Sequence, residues 1–328
     1  MNENKLLIEQ LYKMILIRTF ENVVAEYKMQ GKIYGMAHCY NGQEAVAVGV
    51  CSALKKSDYV ISNHRPHGHA IAKGVNLNAM MAEIFGKSTG TNGGKGGSMH
   101  VHDPKCGLVM STGIVGSGIP VACGTAFSSK YLSDNKVTCV FLGDGAANEG
   151  VMHECLNLAA IWKLPIIFIV EDNGLAVTTI TKDTSACLNY AVLASAYGVN
   201  SYEVNGQDVQ EVYKVAIAAI AKAREESIPS LIQAKTIRFH EHAEGEWYLR
   251  MKKVNYRDNK LLENDKLTKC PIEICCKKLV KQGIINEKQI NTLYEKAQKE
   301  VQKALEYANN SDLPQEDSAF ENVFQRGK

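Results

Sequence analysis

Val137-Thr-Cys-Val-Phe-Leu-Gly143-Asp144-Gly145-Ala-Ala-Asn-Glu-Gly150 is the stretch that decides how this chain folds. A continuous apolar run bounded by glycine reads as a strand buried on both faces, and the residues after it read as a helix over 149–162. In an open parallel sheet, ligands collect beyond the carboxyl ends of the strands, so Asp144 stands where a ligand belongs. The glycines on either side let an anion approach the backbone. The helix entered near Asn148 turns free N–H groups and a positive dipole end toward the same place, as a phosphate requires.

A second strand of the same kind, Ile166 to Val170, runs into Glu171-Asp172-Asn173, with Asn173 placed 29 residues after Asp144. Alone, Gly-Asp-Gly is a common turn and Asp-Asn a common loop. Together, at the ends of two strands, they offer two oxygen ligands to Mg²⁺, which takes few ligands from protein and the rest from phosphate and water. A metal-held diphosphate is the reading the pair supports.

Outward from this centre the chain alternates. Helix 120–131, strand 137–142, helix 149–162, strand 166–170, helix 189–197, strand 201–204, helix 208–225 and strand 230–235 succeed one another. Such alternation implies an α/β fold of three layers, α/β/α, around a mainly parallel sheet. Before it come a long helix over 4–30, a second from Asn41-Gly42 to Leu54, a short strand Tyr59 to Ser62 and a helical stretch from Asn78 to Phe85. A glycine-rich loop then runs from Gly86 to Ser98. From about 265 the sequence is Lys- and Glu-rich and helical, ending in a polar tail. The expectation is one domain over 1–328, with a core at about 55–240 and a C-terminal helical extension at about 260–328.

Composition narrows the function. The chain has 328 residues, 45% hydrophobic, with 37 Lys and Arg against 35 Asp and Glu, and can bury a large core. It has no dense basic block with interleaved aromatics, which argues against nucleic acid. No apolar run reaches the roughly 18 residues a membrane span needs. The opening Met-Asn-Glu-Asn-Lys lacks the order of a signal peptide, so a cytoplasmic protein is expected. Ten cysteines without a Cys-x-x-Cys pair read as reduced core thiols rather than disulfide or zinc ligands. Three His-x-His pairs, 67/69, 100/102 and 240/242, would face one side of a strand, yet none brings a third ligand at a telling spacing. Gly113-Ile-Val-Gly-Ser-Gly118 lacks the order of a dinucleotide fingerprint after a strand, which disfavours a nicotinamide enzyme.

Gly143-Asp144-Gly145 followed by Asp172-Asn173 resembles the thiamine diphosphate motif, in which GDG precedes NN by about 25 to 30 residues. The flanks extend the resemblance: Gly42-Gln-Glu-Ala, His64-Arg65-Pro-His67-Gly-His69, Lys95-Gly-Gly-Ser-Met-His100, Gly113-Ile-Val-Gly116 and Asn157-Leu-Ala-Ala-Ile-Trp-Lys-Leu-Pro165. These look like α subunits of pyruvate, branched-chain and acetoin dehydrogenases over about 5–325, and the stretch from His64 to His100 looks most like acetoin dehydrogenase.

Carried over position by position, the resemblance assigns Asp144, Asn173 and the Leu175 carbonyl to Mg²⁺, and Arg65 and Arg238 to the diphosphate. It places Gly113 and Val115 at the aminopyrimidine ring, and Gly145 and Ala146 under the diphosphate. His242 would sit on a loop over the active site, with His38 and His67 lining the same cleft; His69, His102 and His153 read as structural. The implied enzyme cleaves acetoin or decarboxylates a 2-oxoacid and passes the fragment to lipoamide on a lipoyl-bearing acyltransferase. In this family the carboxylate that activates the aminopyrimidine comes from a β subunit, which implies an α₂β₂ heterotetramer.

Three departures stand out: Asp172 and Leu175 replace the usual Asn and Tyr, Glu241 replaces Gly, and Ala243 occupies a position where animal relatives carry a phosphorylatable Ser. Phosphorylation at that position is excluded. A non-oxidative, acyloin-forming carboligase and a non-catalytic scaffold subunit stay open as alternatives.

Overall fold

A computed structural model describes residues 3–245 and 256–321. The chain opens with α1 (Glu3–Met29), α2 (Glu44–Ala53), β1 (Tyr59–Ser62), α3 (Pro66–Lys73), α4 (Leu77–Ile84) and β2 (Leu108–Ser111). The alternating half comprises α5 (Gly118–Leu132), β3 (Thr138–Gly143), α6 (Gly150–Ile161) and β4 (Ile166–Asp172). A small ribbon, β5 (Leu175–Ala176) and β6 (Thr179–Ile180), precedes α7 (Tyr190–Ala196), β7 (Asn200–Asn205), α8 (Val209–Glu226) and β8 (Ser230–Lys235). The described part ends with α9 (Asn259–Thr268), α10 (Pro271–Lys281) and α11 (Glu287–Asn310). Residues 322–328 of the expected polar tail lie outside the described residues.

The six main strands form one parallel sheet in the order β2-β1-β3-β4-β8-β7. Alternate side chains of the apolar strands serve opposite cores, as the two-residue period demands. Cys139, Phe141, Ile167 and Ile169 join the layer built on α1, α2, α4, α8, α10 and α11. Val140, Leu142, Ile166, Phe168 and Val170 join the layer built on α5, α6 and α7. The three-layer α/β/α architecture expected from the sequence is therefore present.

Helix α3, strand β2 and the small ribbon of β5 and β6 escape the sequence reading. Helix α3 starts with Pro66 at its first position and carries two histidines, a pattern that hides its period. Strand β2 is only four residues long. The helical conformation of α3 also overturns the idea that His67 and His69 face one side. Two apart on a helix, they point to different layers: His67 meets Glu21 of α1 and His69 meets Glu171 of β4. Among the described residues, no helix is long and apolar enough to cross a membrane.

The crossover from β2 to β3 passes β1, so the strand order reverses about β1. Crevices at such reversals are where open α/β sheets take ligands.

Candidate active site

A cleft of about 260 Å³ opens at the carboxyl ends of β1 to β4. Its walls include Arg65 after β1, Gly113 and Val115 after β2, Asp144 to Ala146 after β3, Asn173 and Leu175 after β4, and Arg238 and His242 after β8. Ten of the twelve expected site residues thus line one cavity.

Strands β3 and β4 are direct neighbours, with Gly143 paired to Glu171, so their ends bring Asp144 and Asn173 to adjacent positions. Asp144 is almost fully buried. Its Oδ2 accepts from Thr181 Oγ1 at 2.6 Å and its Oδ1 from the Gly145 amide at 3.0 Å. Burial raises its pKa above the usual Asp value, against the lowering effect of Thr181. Asn173 is oriented by Gln43, whose Oε1 accepts from its Nδ2 at 3.1 Å, and its Oδ1 accepts from the Leu175 amide at 3.2 Å. Gly145 is required by a close approach, because a Cβ there would lie 2.8 Å from that of Ala176.

Three of the departing residues, Asp172, Glu241 and Leu175, have a partner in the fold. Asp172 turns away from the cleft, where its Oδ2 accepts from Gln233 Nε2 at 2.7 Å. Glu241 accepts from Arg257 at 3.0 Å and from the Tyr256 hydroxyl, so its charge is matched within the loop. Leu175 pairs with Ile180 in the small ribbon.

Arg65 and Arg238 are each only 3% exposed. Arg65 donates to the carbonyls of Cys39 at 2.8 Å and His242 at 2.7 Å; Arg238 donates to the Val177 carbonyl at 3.0 Å. None of these acceptors is a carboxylate. Burial, followed by the facing Arg238, pulls Arg65 down to about 9. Two buried guanidiniums that repel one another across a cleft are an arrangement that an anion would relieve.

Three imidazoles stand beside them. His38 lies 4.8 Å from His64 and 4.9 Å from His242, between ring centroids. Burial, then the charge of Arg65, pushes His38 down to about 2 and His242 to about 3, and drives His64 well below its ordinary value. All three are therefore neutral at physiological pH. His38 Nδ1 is buried without a hydrogen-bond partner.

His67 does not reach the cleft. It is fully buried, with Nδ1 at 2.8 Å from Glu21 Oε2 and Nε2 at 3.1 Å from Ser98 Oγ, so both nitrogens are engaged between α1 and the glycine-rich loop. His38 lies behind His64 and His242 rather than on the cavity wall. The sequence reading missed His64, although it directly precedes Arg65. It also missed Glu171, which lines the cleft while accepting from Tyr40, His69 at 3.0 Å and Asn63 at 3.0 Å. Burial opposes its charge, but His69 and these donors hold Glu171 below the usual Glu range.

The sequence pattern of the dehydrogenase E1 component matches residues 12–316. The chain belongs to that family. This E1 chain is 41% identical over 312 residues to the α subunit of acetoin:2,6-dichlorophenolindophenol oxidoreductase of Bacillus subtilis, covering 95% of this chain and 91% of the relative. It is 38% identical over 329 residues to a chloroplastic pyruvate dehydrogenase E1 α subunit of Arabidopsis thaliana, covering 96% and 74%. Against the pyruvate dehydrogenase E1 α subunit of Zymomonas mobilis it is 33% identical over 318 residues, covering 97% and 88%. The dehydrogenase class expected from Gly143-Asp144-Gly145 and its flanks is the class to which the E1 chain belongs.

Proposed function

We propose that this E1 chain is the α subunit of a thiamine diphosphate- and Mg²⁺-dependent dehydrogenase that cleaves acetoin or decarboxylates a small 2-oxoacid such as pyruvate. It works with a β subunit in an α₂β₂ assembly and hands its fragment to a lipoyl-bearing acyltransferase. The observation that carries this reading is the pairing of Asp144 and Asn173, on adjacent strand ends, with two buried arginines that repel one another across the cleft.

The residues fit the cofactor by charge and donor type. Arg65 and Arg238 hold diphosphate oxygens, for which a planar guanidinium is suited. Asp144 and Asn173, with the Leu175 carbonyl, supply oxygen ligands to Mg²⁺. Gly145 and Ala146, which line the cleft, would hold the diphosphate, and Gly113 and Val115 would hold the aminopyrimidine. When bound, thiamine diphosphate supplies the carbon nucleophile and the electron sink for the reaction. His242, neutral and on the cleft wall, donates or accepts a hydrogen bond at the substrate oxygen. His38 sets the position of His242 from behind.

A β subunit is called for by the carboxylates of this chain. Among the cleft-lining residues, Asp144 is assigned to the metal and Glu171 is occupied by Tyr40, His69 and Asn63. Glu149, at the mouth, is exposed. Of these three carboxylates none is left within the cleft to handle the aminopyrimidine proton, so a partner provides one.

The test is turnover of acetoin and of pyruvate with a dye acceptor and with lipoyl domain, using this chain alone and co-purified with the β subunit. Turnover that needs both chains is expected. Turnover by this chain alone, or none of either substrate with both chains, would contradict the proposal. Replacing His242 with Ala is expected to lower kcat about 100-fold or more while leaving cofactor affinity within a few-fold.

A further inference from the structure

The loop that carries Arg238 and His242 also holds a cluster with no part in the cofactor cleft. Cys39, His240 and Glu244 each offer one ligand atom, and the three atoms all lie within 4.8 Å of one another. They come from two separate parts of the chain, joined by the antiparallel bridge between Ala37 and Glu244, in which the Glu244 amide donates to the Ala37 carbonyl at 2.8 Å. His240 Nδ1 already lies 2.9 Å from Glu244 Oε1.

From this geometry we propose that Cys39, His240 and Glu244 form a zinc site that fastens the active-site loop to the segment before α2. The donor set suits the ion. Thiolate, imidazole and carboxylate are the three ligand types zinc takes, and one thiolate with one carboxylate neutralises its charge. Tetrahedral coordination at about 2.0 to 2.3 Å needs ligand atoms about 3.3 to 3.7 Å apart, so small side-chain rotations close the site. The Cys39 side chain is fully buried, while those of His240 and Glu244 are 30% and 12% exposed, which leaves an entry path and room for a water as fourth ligand.

Nearby carboxylates offset part of the charge of the three arginines around the cluster. Burial, then the nearby carboxylates of Glu21 and Glu244, keeps the Cys39 thiol protonated well above its ordinary range, against the opposing charge of Arg65. An incoming Zn²⁺ displaces that proton and removes the mismatch. Arg65, Arg238 and Arg257 donate to the backbone carbonyls of Cys39 and His240, and these bonds hold the main chain of the cluster without engaging its ligand atoms. The third ligand that the His240/His242 pair lacks in sequence is supplied by the fold. Since His240 sits between Arg238 and His242, zinc occupancy would fix the loop over the cleft.

The measurement is titration of the metal-free full chain with Co²⁺ and then Zn²⁺, the latter against a chromophoric chelator. One equivalent of Co²⁺ per chain with a thiolate-to-cobalt charge-transfer band is expected, displaced by Zn²⁺. Cys39→Ser should abolish the band, Glu244→Gln should weaken binding by about tenfold or more, and Cys187→Ser, at the one partly exposed cysteine, should change neither. Far-ultraviolet circular dichroism verifies that each variant is folded; should Cys39→Ser fail to fold, Glu244→Gln decides alone. Absence of the band, a band that survives in Cys39→Ser, or binding unchanged in Glu244→Gln would overturn the proposal. Co²⁺ binding without a thiolate band would assign the ion to His38, His64 and His242 instead.

Discussion

Asp144 and Asn173 are legible in the sequence because each follows a buried strand in a short polar motif, whereas Arg65 and Arg238 come only from the family resemblance. Glu171 and His64 are not legible, because their roles come from contacts between distant elements. Glu171 accepts from Tyr40, 131 positions away, and from His69, 102 away. Replacing Glu171 with Gln is expected to cost about 2 kcal/mol, read as a lower denaturant midpoint, since buried donors lose a charged acceptor. The histidines give a pH signature. His38 and His242 have folded pKa values of about 2 and 3 against an ordinary 6.5, so the unfolded chain binds more protons between these limits. Their contribution to stability is present above about pH 6.5 and is lost as pH falls toward 3. His38→Gln should flatten that acid slope in a series of melting temperatures. Binding of a diphosphate between the arginines should raise the His242 pKa, visible as a shifted midpoint of its imidazole proton resonance.

At the scale of elements, β3 and β4 are readable as strands buried on both faces from unbroken apolar runs, and their alternate side chains do serve two cores. Helix α3 is not, because proline and histidine mask its apolar spacing and its packing depends on a close approach. A Cβ on Gly68 would lie 2.2 Å from the Tyr40 ring. Helix α8 is locked to the start of β1 by a forked ion pair, Arg224 Nη1 to Asp58 Oδ1 at 3.0 Å and Nη2 to Oδ2 at 2.7 Å. Asp58 is fully buried and also caps the amides of Lys55 and Val137. Arg224→Ala leaves this carboxylate without its cation and should destabilise the chain by about 3 to 5 kcal/mol in chemical denaturation.

Across the whole molecule, α5 and α6 present an apolar surface built from Phe127, Tyr131, Leu132, Ile161 and Trp162, with Tyr131 80% exposed. Phe127 touches both Tyr131 and Trp162 through their rings. A surface of this kind suits a subunit contact, in keeping with a β partner. Phe127→Lys should weaken co-purification with the β subunit while leaving the melting temperature of the single chain unchanged. Whether Asp144 anchors a metal-bound thiamine diphosphate is decided by calorimetric titration of thiamine diphosphate with Mg²⁺ into the α–β complex, wild type against Asp144→Asn. Saturable binding in the wild type, weakened about 100-fold or more in the variant, is expected. Equal binding by both proteins, or none by the wild type, would remove Asp144 from the cofactor site and the proposed function with it.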